Sequence, residues 1–310
     1  MTYPDRVKIV EVGPRDGFQV EPGFIPTELK VEVINAIARA GVPKIEASSF
    51  VSPKFVPQLA DATEVFGAID RQPGTRYTAL VPNLKGAERA LSAGADGVRL
   101  VMTSTETYNK KNVGMTIDQS LEVCRQIIDR LRDEPMKVEA VVALAFGCPF
   151  EGPVSEDRVS ELAHRFVDMG VRELSIADSV GLGNPKRIGS TMTRLRSELP
   201  EVALSLHLHD TRGLGMANVV AALQAGIDTF DASIGGLGGC PVFPNGAGNI
   251  ATEDLANLCE EMGISTGVDI EAIQAISGRM QEFLGRQLPS RVLLAGTPGQ
   301  LYAKIRKEAG

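Results

Sequence analysis

The sequence is poor in the residues that cross-link small proteins or bind zinc, with four cysteines and three histidines among its 310 residues. The cysteines, Cys124, Cys148, Cys240 and Cys259, stand far apart and form no C-x-x-C pair. Neither a disulfide framework nor a zinc knuckle is therefore expected. We predict reduced thiols in a cytoplasmic protein.

Long apolar runs and an excess of positive charge are also missing. The longest apolar run, Ala140–Phe146, is far shorter than the ~20 residues that span a bilayer, and the first residues lack the apolar core of a secretory signal. Lys and Arg total 32 against 39 Asp and Glu, a net charge of −7. Because nucleic-acid binders need a basic face, we expect neither nucleic acid nor membrane as a partner.

Eight short β-branched runs alternate with segments in which apolar residues recur at helical spacing. The predicted strands are 7–12, 44–48, 77–81, 97–102, 137–145, 173–177, 203–209 and 229–233. Eight strand–crossover units predict an α/β fold, the closed (β/α)8 TIM barrel. The alternative is an open doubly wound sheet, but the loop at 12–17 after the first strand lacks G-x-G-x-x-G, so a dinucleotide site is not expected.

The domain organisation follows from where the strand–helix pattern stops. We assign 1–286 to the catalytic barrel with an added C-terminal helix over Val268–Leu284, and 287–310 to a basic C-terminal tail. The weakest crossover is Phe50–Phe66, because two prolines give its first half the character of a loop.

Polar residues gather where the predicted strands end, and in TIM barrels these ends carry the chemistry. Taken in chain order, these residues are Arg15, Asp16, Glu46, Asp178, His207, His209, Cys240 and Asn249. His164 instead lies within a helical pattern and is predicted to be structural or on the surface.

The His207-x-His209 pair is the strongest single signal. Residues i and i+2 of a strand point to the same side, so the two imidazoles can grip one metal ion. The alternative is a pair of hydrogen-bonded core histidines. Asp16 offers a hard oxygen ligand beside the Arg15 cation, or else the two form an ordinary loop ion pair. Asn249 offers an amide oxygen to the metal, or else it caps the following helix.

Glycines precede Cys240 in the segment Gly235–Gly239. No Lys or Ser/Thr follows as in a phosphate-binding P-loop. Glycine-rich loops adopt unusual backbone angles and can move. We therefore interpret the segment as a lid that carries a proton-transfer thiol, the alternative being a plain buried cysteine.

Taken together, these motifs resemble the 3-hydroxy-3-methylglutaryl-CoA lyase family over residues 6–270. The segments that carry the resemblance are Glu11–Gly17, Ser49–Lys54, Gly147–Gly152, His207–Thr211, Gly236–Pro241 and Asn249–Asp254. H-x-H with R-D-G alone would indicate only the wider superfamily of metal-dependent barrels, which includes isopropylmalate and homocitrate synthases.

The resemblance implies both a cofactor and a reaction. A divalent metal, Mg²⁺ or Mn²⁺, is expected on Asp16, His207, His209 and Asn249. The resemblance also places Arg15 on the substrate carbonyl and makes Cys240 the catalytic thiol. The family cleaves 3-hydroxy-3-methylglutaryl-CoA to acetyl-CoA and acetoacetate, in leucine degradation or ketone-body formation.

The residues fit such a retro-Claisen cleavage on chemical grounds. The 3-hydroxyl must lose its proton, and Asp16, His207 and Cys240 are the candidate bases. Cys240 is our choice for proton transfer at the acetyl-CoA carbon. Glu46 and Asp178 are expected to orient Arg15 or metal-bound water.

Departures from the family pattern leave the acyl group open. Val20-Glu21-Pro22 replaces Asn-Glu-Lys, Phe150 and Arg212 replace tyrosines, and Val242 replaces an aromatic residue. A lyase for another 3-hydroxyacyl-CoA is therefore the second hypothesis. A Claisen-type synthase using acetyl-CoA and a 2-oxo acid is the third, and a metal-binding scaffold the fourth. We expect an acyl-CoA ligand and a homo-oligomer. The Lys110-Lys111 pair either meets CoA phosphates or is a solvated surface patch.

Overall fold

The structure, a computed structural model, describes residues 3–239 and 247–309. Its strands β1 to β8 are Lys8–Glu11, Lys44–Ser49, Arg76–Leu80, Gly97–Thr103, Lys137–Ala143, Glu173–Asp178, Ala203–Leu208 and Thr229–Ala232. Each strand pairs in parallel with the next, and β1 also pairs in parallel with β8, so the sheet closes into a barrel in sequence order. The predicted TIM barrel is confirmed, and the open-sheet alternative is wrong.

Helices surround this barrel and supply the crossovers. Numbered α1 to α12 in chain order, they are Thr27–Arg39, Ala62–Ala68, Leu84–Ser92, Glu106–Val113, Ile117–Leu131, Glu156–Asp168, Pro185–Glu198, Gly215–Gln224, Thr252–Glu261, Ile270–Leu284, Arg291–Ala295 and Pro298–Ala309. In the described part of the chain, no helix is both long and apolar enough to cross a membrane.

Apolar periodicity explains how the helices pack. In α1 the residues at helical spacing, Val33, Ile34 and Ile37, are buried against the barrel, as the pattern predicts. The chain then turns at Gly41, whose φ is +89°. The Cβ of any other residue at this position would lie 2.4 Å from the Gly267 carbonyl oxygen. Only glycine fits that turn without strain.

Helix α4 and the segment after 286 differ in detail from the sequence pattern, whereas the second crossover has the loop predicted for its first half. Helix α4 is polar and has no apolar stripe to predict it, but the buried Asn109 fixes it by donating to Met115 O at 2.9 Å and Ser120 Oγ at 2.8 Å. The second crossover is a loop followed by the short α2. The segment after 286 is largely helical, forming α11 and α12.

Candidate active site

The C-terminal mouth of the barrel brings most of the predicted polar residues together. Arg15 and Asp16 lie in a helical turn, Gly13–Gly17, directly after β1. His207 is in β7, and His209 follows it and forms an isolated bridge with Asn249. Because α9 begins at Thr252 with Ala251 as its N-cap, the alternative interpretation of Asn249 as a helix cap is wrong.

Asp16, His207 and His209 converge, each offering one ligand atom, with all of these atoms within 4.8 Å of one another. The two imidazole Nε2 atoms are 3.0 Å apart, and His209 Nε2 is 3.8 Å from Asp16 Oδ2. Two ring nitrogens at this distance either share a proton in a hydrogen bond or face a common cation, because their lone pairs would otherwise repel each other. All three residues are buried.

Asn249 lies beside these three residues and contacts Asp16. Its Nδ2 donates to Asp16 Oδ2 at 2.8 Å and to Leu237 O at 3.1 Å, which fixes the amide orientation. Its Oδ1 is buried and has no hydrogen-bond partner among the residues that the structure describes. A carboxylate and two imidazoles, next to an asparagine whose amide oxygen has no partner, are the donor types that suit a divalent metal with oxygen and nitrogen ligands.

The electrostatics of the cluster suit metal binding. Burial raises the pKa of Asp16, but Arg15, His207 and His209 outweigh that effect and hold the pKa at about 2. Burial and then the neighbouring His207 lower the pKa of His209 to about 4. At neutral pH the carboxyl group is therefore ionised and the His209 imidazole is neutral, which are the forms that bind metals.

Arg15 is held between two carboxylates. It forms ion pairs with Asp16 and, through Nη2, with Glu46 Oε2 at 2.8 Å. Burial lowers the pKa of Arg15, but the two carboxylates outweigh burial and raise it. Its Nε is buried and has no hydrogen-bond partner within the described ranges. The predicted contact between Glu46 and Arg15 is present.

Asp178 ends β6 and lies within electrostatic reach of His207, and its predicted part in orienting metal-bound water stays a prediction. Its two carboxylate oxygens accept hydrogen bonds from the backbone N–H groups of Leu182 at 2.8 Å and Gly183 at 2.9 Å. It therefore holds the loop between β6 and α7, and it makes no recorded contact with Arg15. Burial raises its pKa.

Sequence reasoning missed a charged pair inside the barrel. Arg99 of β4 binds both oxygens of Asp231 in β8, at 2.6 and 3.2 Å, and Asp231 Oδ2 lies 3.1 Å from His207 Nδ1. Burial raises the pKa of Asp231, but Arg99 and His207 outweigh it and hold the pKa well below its usual range. The sequence signal that could have indicated this pair is a charged residue within each of two otherwise largely apolar strands, Arg99 in β4 and Asp231 in β8.

The predicted catalytic thiol, Cys240, lies outside the described residues. The glycine segment before it is anchored by two buried carboxylates. Glu11 accepts from the N–H groups of Gly13 at 2.7 Å and Ile234 at 3.0 Å, and Glu253 accepts from the N–H of Gly235 at 3.1 Å. Burial raises the pKa of Glu11 to about 8 and that of Glu253 to about 7.

Comparisons with known proteins agree with this geometry. The model of the HMGL-like family matches residues 6–279. Hydroxymethylglutaryl-CoA lyase YngG of Bacillus subtilis is 42% identical over 94% of this chain and 98% of its own length. The mitochondrial hydroxymethylglutaryl-CoA lyase of Gallus gallus is 41% identical over 94% of this chain and 97% of its own.

A solved structure extends the likeness to three dimensions. The chain superposes with a TM-score of 0.92 on an HMG-CoA lyase of Acinetobacter baumannii, which is 41% identical and was solved with coenzyme A and 3-methylmalate. That superposition covers 96% of this chain and 97% of the other.

Proposed function

The chain belongs to the HMGL-like family, and from that premise we propose that it is a metal-dependent carbon–carbon lyase acting on 3-hydroxy-3-methylglutaryl-CoA. The products are acetyl-CoA and acetoacetate. The observation that carries this proposal is the convergence of the Asp16, His207 and His209 ligand atoms, with the Asn249 amide hydrogen-bonded to Asp16 and Arg15 alongside.

Asp16, His207, His209 and Asn249 are the proposed metal ligands. Their set of two imidazoles, a carboxylate and an amide oxygen suits Mg²⁺ or Mn²⁺, with Mn²⁺ tolerating nitrogen ligands better. When bound, the metal supplies Lewis acidity that makes a substrate hydroxyl easier to ionise.

Arg15 is proposed to stabilise the charge that develops during cleavage. Breaking the bond between C2 and C3 sends its electron pair toward the thioester, which becomes an enolate. The Arg15 guanidinium is our proposed donor to that oxygen. Glu46 and Asp16 hold the guanidinium in place, so it need not reorganise as the charge appears.

Two protons must move in the reaction. A base takes the proton of the 3-hydroxyl, whose carbon becomes the ketone of acetoacetate, and His207 and Asp16 are the candidates that lie among the described residues. An acid then protonates the enolate carbon to give acetyl-CoA. We propose Cys240 for that second transfer because it follows the glycine segment at the same mouth.

Recognition of an acyl-CoA is supported by the Acinetobacter structure with bound coenzyme A. Lys110 and Lys111 stand exposed in α4, and Lys111 Nζ lies 5.1 Å from the centre of the Phe150 ring. A contact between these lysines and CoA phosphates remains a prediction. Three other expectations also remain predictions: a homo-oligomer, a cytoplasmic location and a role in leucine degradation.

A lyase for a related 3-hydroxyacyl-CoA is the second candidate. A Cβ at Gly239 would lie 3.8 Å from Val20 Cγ2, so this departure from the family pattern borders the segment that leads to Cys240. Arg212 is tied by hydrogen bonds of 2.9 and 3.0 Å to the carbonyl groups of Val180 and Gly181.

A panel of CoA thioesters with Mg²⁺ or Mn²⁺ added tests the proposal. The wild type should release acetyl-CoA most efficiently from 3-hydroxy-3-methylglutaryl-CoA. A preference for a bulkier acyl chain by more than about tenfold in kcat/KM would favour the second candidate. Release of free CoA from acetyl-CoA and a 2-oxo acid would indicate a synthase instead.

A further inference from the structure

Arg99 occupies the centre of the barrel, beneath the proposed metal ligands. Its side chain is 2% exposed. Its Nη1 lies 2.6 Å from Asp231 Oδ2 and 3.7 Å from Glu46 Oε2, and its Nε lies 3.5 Å from Glu139 Oε2. One guanidinium therefore faces carboxylates from three other strands.

Two of these carboxylates lead directly to the site. Asp231 faces His207 Nδ1 at 3.1 Å, on the opposite side of the ring from the Nε2 that meets His209. Glu46 pairs with Arg15 Nη2 at 2.8 Å. Arg99 thus contacts the partner of a metal ligand and the partner of the substrate-binding cation.

The charges make this arrangement dependent on Arg99. The side chains of Asp231 and Glu46 are both 0% exposed, so neither carboxylate can turn to water for compensation. Without the guanidinium, two buried charges of the same sign would face each other across the barrel. Asp231 and Glu46 would then move apart or change partners, since an unpaired buried charge is costly.

The planar fork of arginine also matters for the geometry. Arg99 donates from two nitrogens to both oxygens of Asp231 while its Nε is turned toward Glu139. A lysine ammonium carries its N–H donors on one nitrogen, so it cannot reproduce the planar contact of two nitrogens with Asp231 while a third nitrogen faces Glu139. A lysine at this position would keep the charge and lose the alignment.

We propose that Arg99 is a positioning residue that sets the orientation of His207 through Asp231 and of Arg15 through Glu46. The inference rests on the proposed function, because it assigns Arg99 a role in the metal-dependent site. Arg99 itself touches neither the converging ligand atoms nor the mouth of the barrel.

The test compares Arg99→Lys with a matched control, Arg76→Lys. Arg76 lies in the neighbouring strand and pairs with Glu173 at 2.6 Å and with Glu139 at 3.5 Å, so it shares Glu139 with Arg99 but forms no ion pair with Asp231 or Glu46 within the described ranges. Mn²⁺ binding to metal-free protein is measured by the loss of the electron paramagnetic resonance signal of free Mn²⁺, beside kcat, KM and the melting temperature.

For Arg99→Lys we expect Mn²⁺ binding about tenfold weaker and kcat about tenfold or more lower, as for other residues that orient metal ligands. KM measured at saturating Mn²⁺ should stay within about twofold, because the proposed role of Arg15 is to stabilise the charge that develops in the transition state and not to hold the bound substrate. Arg76→Lys should keep the wild-type Kd and kcat. If Arg99→Lys does not fold, the neutral pair Arg99→Gln with Asp231→Asn replaces it, with the same expected losses.

A lower melting temperature with unchanged Mn²⁺ affinity and kcat would make Arg99 a purely structural residue and overturn the proposal. Equal losses in Arg76→Lys would overturn it as well, since the effect would then follow from replacing any strand arginine that pairs with carboxylates and would not be specific to Arg99. Failure of the wild type to bind Mn²⁺ would refute the proposed metal site itself, and the inference would fall with it.

Discussion

Replacing Glu11 by Gln should stabilise the protein at alkaline pH. The Glu11 side chain is fully buried at the end of β1, and its pKa is raised by burial to about 8 from a reference of 4.5. One oxygen accepts from the N–H groups of Gly13 and Ile234, and the other lies 2.6 Å from Thr252 Oγ1. A neutral Gln keeps all three contacts, because its amide N–H can donate to the threonine.

The sign and size of the effect follow from the pKa difference. The folded state holds a proton on Glu11 that the unfolded state loses above pH 4.5, so wild-type stability falls between about pH 4.5 and pH 8. The difference of about 3.5 pKa units corresponds to roughly 5 kcal/mol at full effect, at about 1.36 kcal/mol per unit. Gln cannot ionise and loses this dependence.

Urea unfolding followed by circular dichroism between pH 5 and pH 9 measures the effect. The free energy of unfolding of Glu11→Gln minus that of the wild type should grow with pH and level off above about pH 8. Parallel pH profiles for the two proteins would refute the reasoning, because Glu11 would then be ionised in the folded state. Glu64, on the outer face of α2, offers a matched Glu→Gln control.

Three further perturbations test other parts of the site and its support. His209→Ala should weaken Mn²⁺ binding strongly in calorimetry, and full activity in chelator-treated protein would refute the metal role. Cys240→Ala should lower kcat by roughly 10²–10⁴-fold while Mn²⁺ still binds, and near-normal turnover would exclude the thiol from proton transfer. Leu288 is 1% exposed, and its side chain would lie 2.4 Å from a Cβ at Gly235, so Leu288→Ala should lower the free energy of unfolding by about 2–5 kcal/mol. A loss below about 0.5 kcal/mol in urea titrations would show that this contact is dispensable.

The strands and most helices could be predicted from the sequence because their signals are local. Alternating β-branched runs and helical apolar stripes such as that of α1 depend on residues close in the chain. Helix α4 has no such stripe. It is fixed by Asn109, whose partner Ser120 belongs to the next helix, and a single-sequence pattern does not record that contact.

In the candidate site, too, some arrangements are readable from local sequence and others depend on contacts between distant parts of the chain. His207 and His209 are two residues apart on one strand, so their shared direction is readable from the sequence. The pairing of Arg99 with Asp231 joins β4 to β8 across the barrel, and only closure of the sheet brings these residues together. The position of Asp178 at a strand end is readable from the sequence, but its hydrogen bonds to the backbone N–H groups of Leu182 and Gly183 are not, because no side-chain motif indicates them.

Metal-dependent cleavage of 3-hydroxy-3-methylglutaryl-CoA is measured most directly with protein stripped by a chelator and then supplied with Mg²⁺ or Mn²⁺. The stripped protein should release no acetyl-CoA, and either metal should restore release together with one equivalent of acetoacetate. Equal rates with and without metal, or no cleavage of this thioester under either condition, would contradict the assignment of Asp16, His207, His209 and Asn249 as the ligands of a catalytic metal.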